Sequence, residues 1–190
     1  KFGESTAILA GNSLLTIGFE ILSSKNLKIS INEKNKLINL ISICVGHTGV
    51  AGGQFLDLNF EKKKISKNKI MDMQKKKTGM LFRFCCLAPV IVAKKNEYYK
   101  KFSDIGLDIG LLFQIVDDLI DFKGNSKKVG KKTQKDLKKG KATLISLLGY
   151  QNTINYSYKL KENIFERLNV FGDKVNELKK TINFVLVRSK

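Results

Sequence analysis

Gly110-Leu111-Leu112-Phe113-Gln114-Ile115-Val116-Asp117-Asp118-Leu119-Ile120-Asp121-Phe122 is the stretch on which the reading of this chain turns. Apolar side chains recur at every angle around a 3.6-residue repeat, so a helix here has no face to give to water and is expected to be buried. Three carboxylates and an amide interrupt it. Asp117 and Asp121 stand four residues apart on one face, about 6 Å along the axis, with Gln114 one turn earlier on the same side. Acids this close repel one another, and partly burying each costs several kcal/mol unless a cation compensates. The helix is expected to end near Phe122, which would set the acids against the negative end of its dipole as well. Two readings stay open. Three surface acids could close a solvated helix end, or all-oxygen ligands could hold a divalent ion. Mg²⁺ keeps several waters and shares its shell with substrate phosphates, so it suits an open-sided site of this kind.

Outward from this segment the chain reads as further helices. Residues 1–22 place Ala7, Ala10, Leu14 and Ile17 at spacings of three and four. Asn32 is the expected N-cap of a second long helix over 33–58. Its middle, Gly46-His47-Thr48-Gly49-Val50-Ala51-Gly52-Gly53, is unusually small. A helical glycine costs ~1 kcal/mol relative to alanine. The stretch therefore receives the close approach of another helix or a ligand, or else it is a loop. Residues 60–68 form a Lys-rich connection. A helix or broken pair follows over 69–93, with Pro89 as its kink or start. The long helix is expected over 96–122, a glycine-punctuated Lys-rich loop over 124–140, and amphipathic helices over 142–150, 154–170 and 174–187. With no internal repeat and no linker, residues 1–190 are expected to form one all-α domain.

Composition agrees. Of 190 residues 43% are hydrophobic, which excludes wholesale disorder. A single proline and no tryptophan leave too little turn punctuation for an all-β sandwich. The net charge of +18 invites a polyanion, but 32 of the 35 basic residues are Lys, whereas Arg is the better residue for phosphate and base contacts. A solvated Lys-rich surface is the simpler reading, and no nucleic-acid partner is expected. Cys44, Cys85 and Cys86 form no CxxC pair, and His47 is the only histidine. No disulfide framework, zinc site or serine-type triad follows, and a reducing cytoplasm is the expected setting. No uninterrupted apolar run reaches the ~18–20 residues of a membrane span, so no transmembrane segment is expected. The chain opens on Lys1 without an initiator Met, as a piece of a longer protein would.

Phe113-Gln114-Ile115-Val116-Asp117-Asp118-Leu119-Ile120-Asp121 resembles the second aspartate-rich motif of the trans-type polyprenyl diphosphate synthases, the farnesyl and geranylgeranyl diphosphate synthase family. Four more segments follow the family's order. Lys1-Phe2-Gly3-Glu4 with Ala7 to Leu15 is similar to the helix after the first aspartate motif. Gly52-Gly53-Gln54-Phe55-Leu56-Asp57-Leu58 resembles the GGQxLDL segment, and Lys77-Thr78-Gly79 the KTG. Gly130-Lys131 through Asp136, then Gly140-Lys141-Ala142-Thr143-Leu144, resembles the closing loop. The bacterial farnesyl-type enzymes are nearest. The family's N-terminal third, with its first aspartate motif, has no counterpart, and without it the chain is expected to be inactive on its own. Asn12 stands where the family usually has Asp, and Gln134 where the loop has glycine.

The resemblance implies the isoprenoid synthase fold, a helical bundle around a central cavity, usually as a homodimer. It implies a prenyltransferase that joins an allylic diphosphate to isopentenyl diphosphate, head to tail, by Mg²⁺-assisted ionisation, with Mn²⁺ as a substitute and a C15–C20 product. By motif position Asp117, Asp118 and Asp121 would ligate metal. Lys77 and Lys131 would hold the allylic diphosphate, and Lys141 would assist as the loop closes. Thr78 and Gln114 would turn oxygen dipoles toward the carbocation. Gln54 and Asp57 would line the cavity, Asp57 supporting Lys77 or the metal. Phe113 would pack on the isopentenyl group, and Arg188 and Lys190 would reach the second diphosphate. Plainer counterparts exist: a solvated run at Lys75, Lys76 and Lys77, surface charge at 127–141, core packing at Phe113, a frayed tail at Arg188 and Lys190. Two other functions compete. One is a non-catalytic helical subunit of a heteromeric synthase. The other is a polyanion or anionic-membrane binder using the 127–141 lysines, which lack the aromatics that stack single strands.

Overall fold

The computed structural model describes residues 1–128 and 142–187. Among them there are helices and no strands. They are α1 (Glu4–Ser23), α2 (Ile31–Val45), α3 (Val50–Phe60), α4 (Lys67–Gln74), a π turn (Lys75–Gly79) leading into α5 (Met80–Val92), a 3-10 turn (Asn96–Tyr98), α6 (Tyr99–Lys128), α7 (Leu144–Leu148), α8 (Tyr150–Leu168), a second 3-10 segment (Asn169–Val175) and α9 (Asn176–Val187).

The expected all-α bundle is built around α6. Its 30 residues run about 45 Å and pack against α5, α8, α9 and the π turn. Because it is apolar all round, it serves two cores at once. Ile105, Ile109, Leu112 and Val116 meet Ile164 and Leu168 of α8 and Ile182, Val185 and Leu186 of α9. Leu111, Ile115 and Leu119 meet Ile70 of α4 and Leu144 and Ile145 of α7. A third core joins Leu37, Leu40 and Cys44 of α2 to Met80, Leu87 and Ile91 of α5.

Several boundaries differ from the sequence reading. The helix expected over 33–58 is two helices, broken at residues 46–49, where Gly46 is extended (ψ −163°) and Gly49 also leaves the helical region. Its cap is Ser30, whose hydroxyl accepts from the Glu33 backbone N–H, and Asn32 lies inside the helix. Pro89 sits within α5 and starts nothing. The long helix runs on past Phe122 to Lys128, so the three acids lie well short of its end and the dipole penalty expected there falls away. The helix expected over 142–150 stops at Leu148, because Gly149 takes φ +78°.

Helix α1 is the least integrated element. None of its residues is buried, and Leu9 (65% exposed) and Leu14 (70%) stand in the open. Among the described helices, α1 alone is long and apolar enough to cross a membrane by length and composition. The sequence showed no such run because Glu4, Asn12 and Glu20 punctuate it.

Candidate functional site

Two glycines set the site's geometry. A Cβ on Gly53 of α3 would lie 2.2 Å from the backbone N of Lys77, and one on Gly110 of α6 would lie 2.4 Å from the Cα of Gly79. Side chains are excluded at both positions, so α3 and α6 press their backbones onto the π turn from two directions. Inserting a π turn between α4 and α5 re-aims the residues it carries, a device that recurs at functional sites.

The turn and α6 share a continuous line of polar contacts through apolar surroundings. Thr78 Oγ1 donates to Gln114 Oε1 at 2.7 Å. Gln114 Nε2 donates to Asp118 Oδ1 at 2.9 Å. Gln74 Nε2, from the end of α4, donates to the other oxygen, Oδ2, at 2.9 Å. Lys77, half-buried, pairs with Asp57 of α3 through its ammonium. Burial pushes the Asp118 carboxyl up to about 6. The Gln114 hydrogen bond and the Lys77 charge favour its ionised form, while Asp121 and Asp117 oppose it. A second ionic cluster lies behind the turn, where Asp108 Oδ1 meets Lys75 Nζ at 2.9 Å and Oδ2 meets Arg167 Nη2 at 2.6 Å.

The structure therefore brings together Asp57, Lys77, Thr78, Gln114 and Asp118 of the residues singled out from sequence. Asp117 is half-buried beside them and Asp121 is exposed. Phe113 packs its ring on Phe82 at a centroid distance of 5.3 Å, against the α6–α8–α9 core. Gln54 is exposed on α3. Lys131, Lys141, Arg188 and Lys190 lie outside the described residues. His47 is exposed in the turn between α2 and α3. The three cysteines are free, and burial raises the Cys86 thiol to about 11, which removes it as a nucleophile at neutral pH.

Three contributors escaped the sequence reading. Gln74 is 2% exposed and holds Asp118. Its only sequence signal is its place four residues before Thr78, one helical turn away. Lys75 and Asp108 were hidden because one sits in a lysine run and the other nine residues ahead of the acidic motif.

The donor set suits a hard divalent cation. Three carboxylates lie within five residues of α6, and Asp118 is half-buried beside the other two. Among the described residues no three of His, Cys, Asp and Glu converge closely enough to enclose an ion. An ion that fits such a one-sided array keeps much of its water, as Mg²⁺ does.

The family model described as polyprenyl synthetase matches residues 1–183. A farnesyl diphosphate synthase of Micrococcus luteus is 33% identical over 191 aligned positions, covering 100% of this chain and 65% of that protein. The crystal structure of an FPP/GFPP synthase from Zymomonas mobilis, in its apo form, superposes with a TM-score of 0.82 at 32% identity, covering 97% of this chain and 62% of that one. A geranyltransferase from Helicobacter pylori, complexed with magnesium and isoprenyl diphosphate, gives a TM-score of 0.79 at 29% identity over 97% of this chain and 60% of that one. The chain thus spans between 60% and 65% of the length of these relatives.

Proposed function

The chain belongs to the polyprenyl synthetase family, and on that premise we propose that it carries the metal and diphosphate half of a short-chain trans-prenyltransferase. The reaction joins an allylic diphosphate to isopentenyl diphosphate, head to tail, giving a farnesyl- or geranylgeranyl-length product. The observation that supports this best is the polar line Thr78–Gln114–Asp118 beside the Lys77–Asp57 pair. It runs from the turn with three lysines to the helix with three acids, so cationic and anionic groups flank one neutral stretch. The similar proteins named as synthases favour this reading over a non-catalytic subunit.

In this proposal Asp117 and Asp121, with Asp118 through water, hold Mg²⁺ or Mn²⁺. When bound, the ion supplies positive charge where the departing diphosphate gathers negative charge. The protein's own residues do the rest. Lys77 leaves Asp57 for the allylic diphosphate as a compact point charge. Lys131 and Lys141 add charge to the same anion. Once the C–O bond has broken, the allylic carbocation needs electron density that cannot capture it. Thr78 Oγ1 and Gln114 Oε1 are neutral oxygens, already fixed by their mutual hydrogen bond. Gln74 and Gln114 keep Asp118 directed, so that it stabilises a neighbouring cation and stays back from the carbocation. Phe113 and Gln54 line the isopentenyl side, and Arg188 and Lys190 reach the second diphosphate. The double bond attacks, and the proton lost from the new chain passes to the released diphosphate.

The same reading takes the protein as a homodimer working in the cytoplasm, in keeping with its three free cysteines. Helix α1 lies within the span matched by the family model, which supports a protein partner, not lipid, against its apolar surface.

The test is turnover by the protein expressed from its complete reading frame. Isopentenyl diphosphate and a C5 or C10 allylic diphosphate should be consumed only with Mg²⁺ or Mn²⁺ present, with release of pyrophosphate. Metal-loaded protein that binds both substrates and makes no longer chain would overturn the proposal.

A further inference from the structure

Three consecutive lysines fall on the five-residue π turn, where their charges repel one another. Side chains two residues apart on a helical turn point to opposite sides. Lys77 accordingly faces α3 and pairs with Asp57, while Lys75 faces α6 and α8. Lys76, between them, is exposed. Lys75 Nζ lies 2.9 Å from Asp108 Oδ1, and Asp108 is only 15% exposed. Arg167 of α8 takes the other oxygen at 2.6 Å and so keeps the carboxylate from rotating away. The turn is thus pinned from two sides.

The two pins differ in permanence. Asp57 and a diphosphate compete for the same ammonium, so the pin on α3 is lost whenever Lys77 takes up an anion. The pin on Asp108 lies outside the polar line and changes no partner. It also sits on the helix that carries Gln114 and Asp118, ten residues or about 15 Å before the latter. Fixing Lys75 to Asp108 therefore fixes the height of the turn along α6, and with it the Thr78–Gln114 contact.

We propose that Lys75, Asp108 and Arg167 form a permanent anchor that keeps the π turn in register while Lys77 exchanges Asp57 for a diphosphate. Lys75 and Asp108 are then positioning residues. This rests on the diphosphate reading of the site, and the experiment separates the two. Amide hydrogen exchange across residues 75–80 and titration with inorganic pyrophosphate in Mg²⁺ are measured on the protein expressed from its complete reading frame, on its Lys75→Met variant and on its Lys75→Arg variant. Lys75→Met should speed exchange in the turn about tenfold while the amides of α8 and α9 keep their protection. It should weaken pyrophosphate binding about tenfold. Lys75→Arg retains the charge and should restore both. Unchanged exchange in the turn, unchanged affinity, protection lost through the whole core, or failure of Lys75→Arg to restore would each overturn the anchor. A wild-type chain without affinity for pyrophosphate would overturn the diphosphate reading instead, and the exchange comparison by itself would still decide whether Lys75 holds the turn.

Discussion

Helix α6 presents half-buried carboxylates in two settings. Near its start Asp108 is met by two cationic side chains at 2.9 and 2.6 Å. Nine to thirteen residues on, Asp118 is met by two amide N–H groups, with Asp117 and Asp121 adding negative charge beside it. The first arrangement is complete, since the charge taken from water is returned by partners from α8 and the π turn. The second holds the carboxylate in place with dipoles and leaves the region rich in negative charge. On the proposed reading, one helix carries both an acid that ties elements together and an acid kept ready for a cation.

The largest effect that distinguishes these halves is catalytic. In the complete protein, Asp117→Ala should lower Mg²⁺-dependent turnover about a hundred- to thousandfold, the scale seen when one preorganised electrostatic contact is removed. The thermal midpoint should stay near that of the parent. Undiminished turnover would show that the acidic half holds no ion.

A smaller effect tests how tightly the helix must seat against the π turn. Gly110→Ala puts a methyl group 2.4 Å from the Gly79 backbone, where neither side can yield, and should cost about 1–3 kcal/mol in urea unfolding. Gly124→Ala on the same helix meets nothing within 4 Å and should stabilise by about 0.5–1 kcal/mol. Equal responses at the two positions would mean that close approach is not what keeps glycine at 110.

Smaller again is Asp108→Asn. Lys75 and Arg167 would keep their charges and lose their counter-ion, at a cost of about 1–2 kcal/mol given their partial exposure. Added salt should narrow the gap from the parent, because screening weakens the ion pairs that the variant lacks.

The fold was legible wherever period alone decides. The all-round apolar run predicted a buried α6, spacings of three and four located α1, and amphipathic stretches over 154–170 and 174–187 located most of α8 and α9. What period cannot convey is what covers a helix. Ala7, Ala10, Leu14 and Ile17 predict α1 well, yet nothing in the described residues buries them. Glycine was ambiguous in the same way. Within a single run, residues 46–49 break the chain while Gly53 admits a neighbouring backbone, and only tertiary contact separates those roles. The motif residues Lys77, Thr78, Gln114 and Asp118 were all marked in the sequence. Gln74 and Lys75 were not, because an amide and a lysine in a polar run acquire meaning only from the carboxylates on α6 that they meet.

The last prediction uses the same substitution at the other acid and expects the opposite sign. Burial lifts the Asp118 carboxyl to about 6, above the ordinary 3.8. Across that interval the folded chain holds a proton that the unfolded chain has released, so stability falls as pH rises through it. Above about pH 6 the penalty is full, at most about 3 kcal/mol, from roughly two pH units at about 1.4 kcal/mol each. Asp118→Asn removes the charge, and an acceptor for the new amide is at hand: Gln74 Oε1 is buried without a hydrogen-bond partner. Rotating the Gln74 amide would present that oxygen but orphan its N–H, so the net gain should be about 1 kcal/mol. Urea unfolding in a metal chelator should show Asp118→Asn more stable than the parent at pH 8 and less stable by about 1 kcal/mol at pH 4, where the folded parent keeps its proton, the ionisation penalty is gone and the variant's orphaned N–H remains. Added Mg²⁺ should then raise the parent more than the variant, because only the parent keeps the full acidic cluster. Should Asp118→Asn destabilise at pH 8 as Asp108→Asn does, the two carboxylates would be doing the same structural work and the acidic half of α6 would have no charge in reserve for an ion.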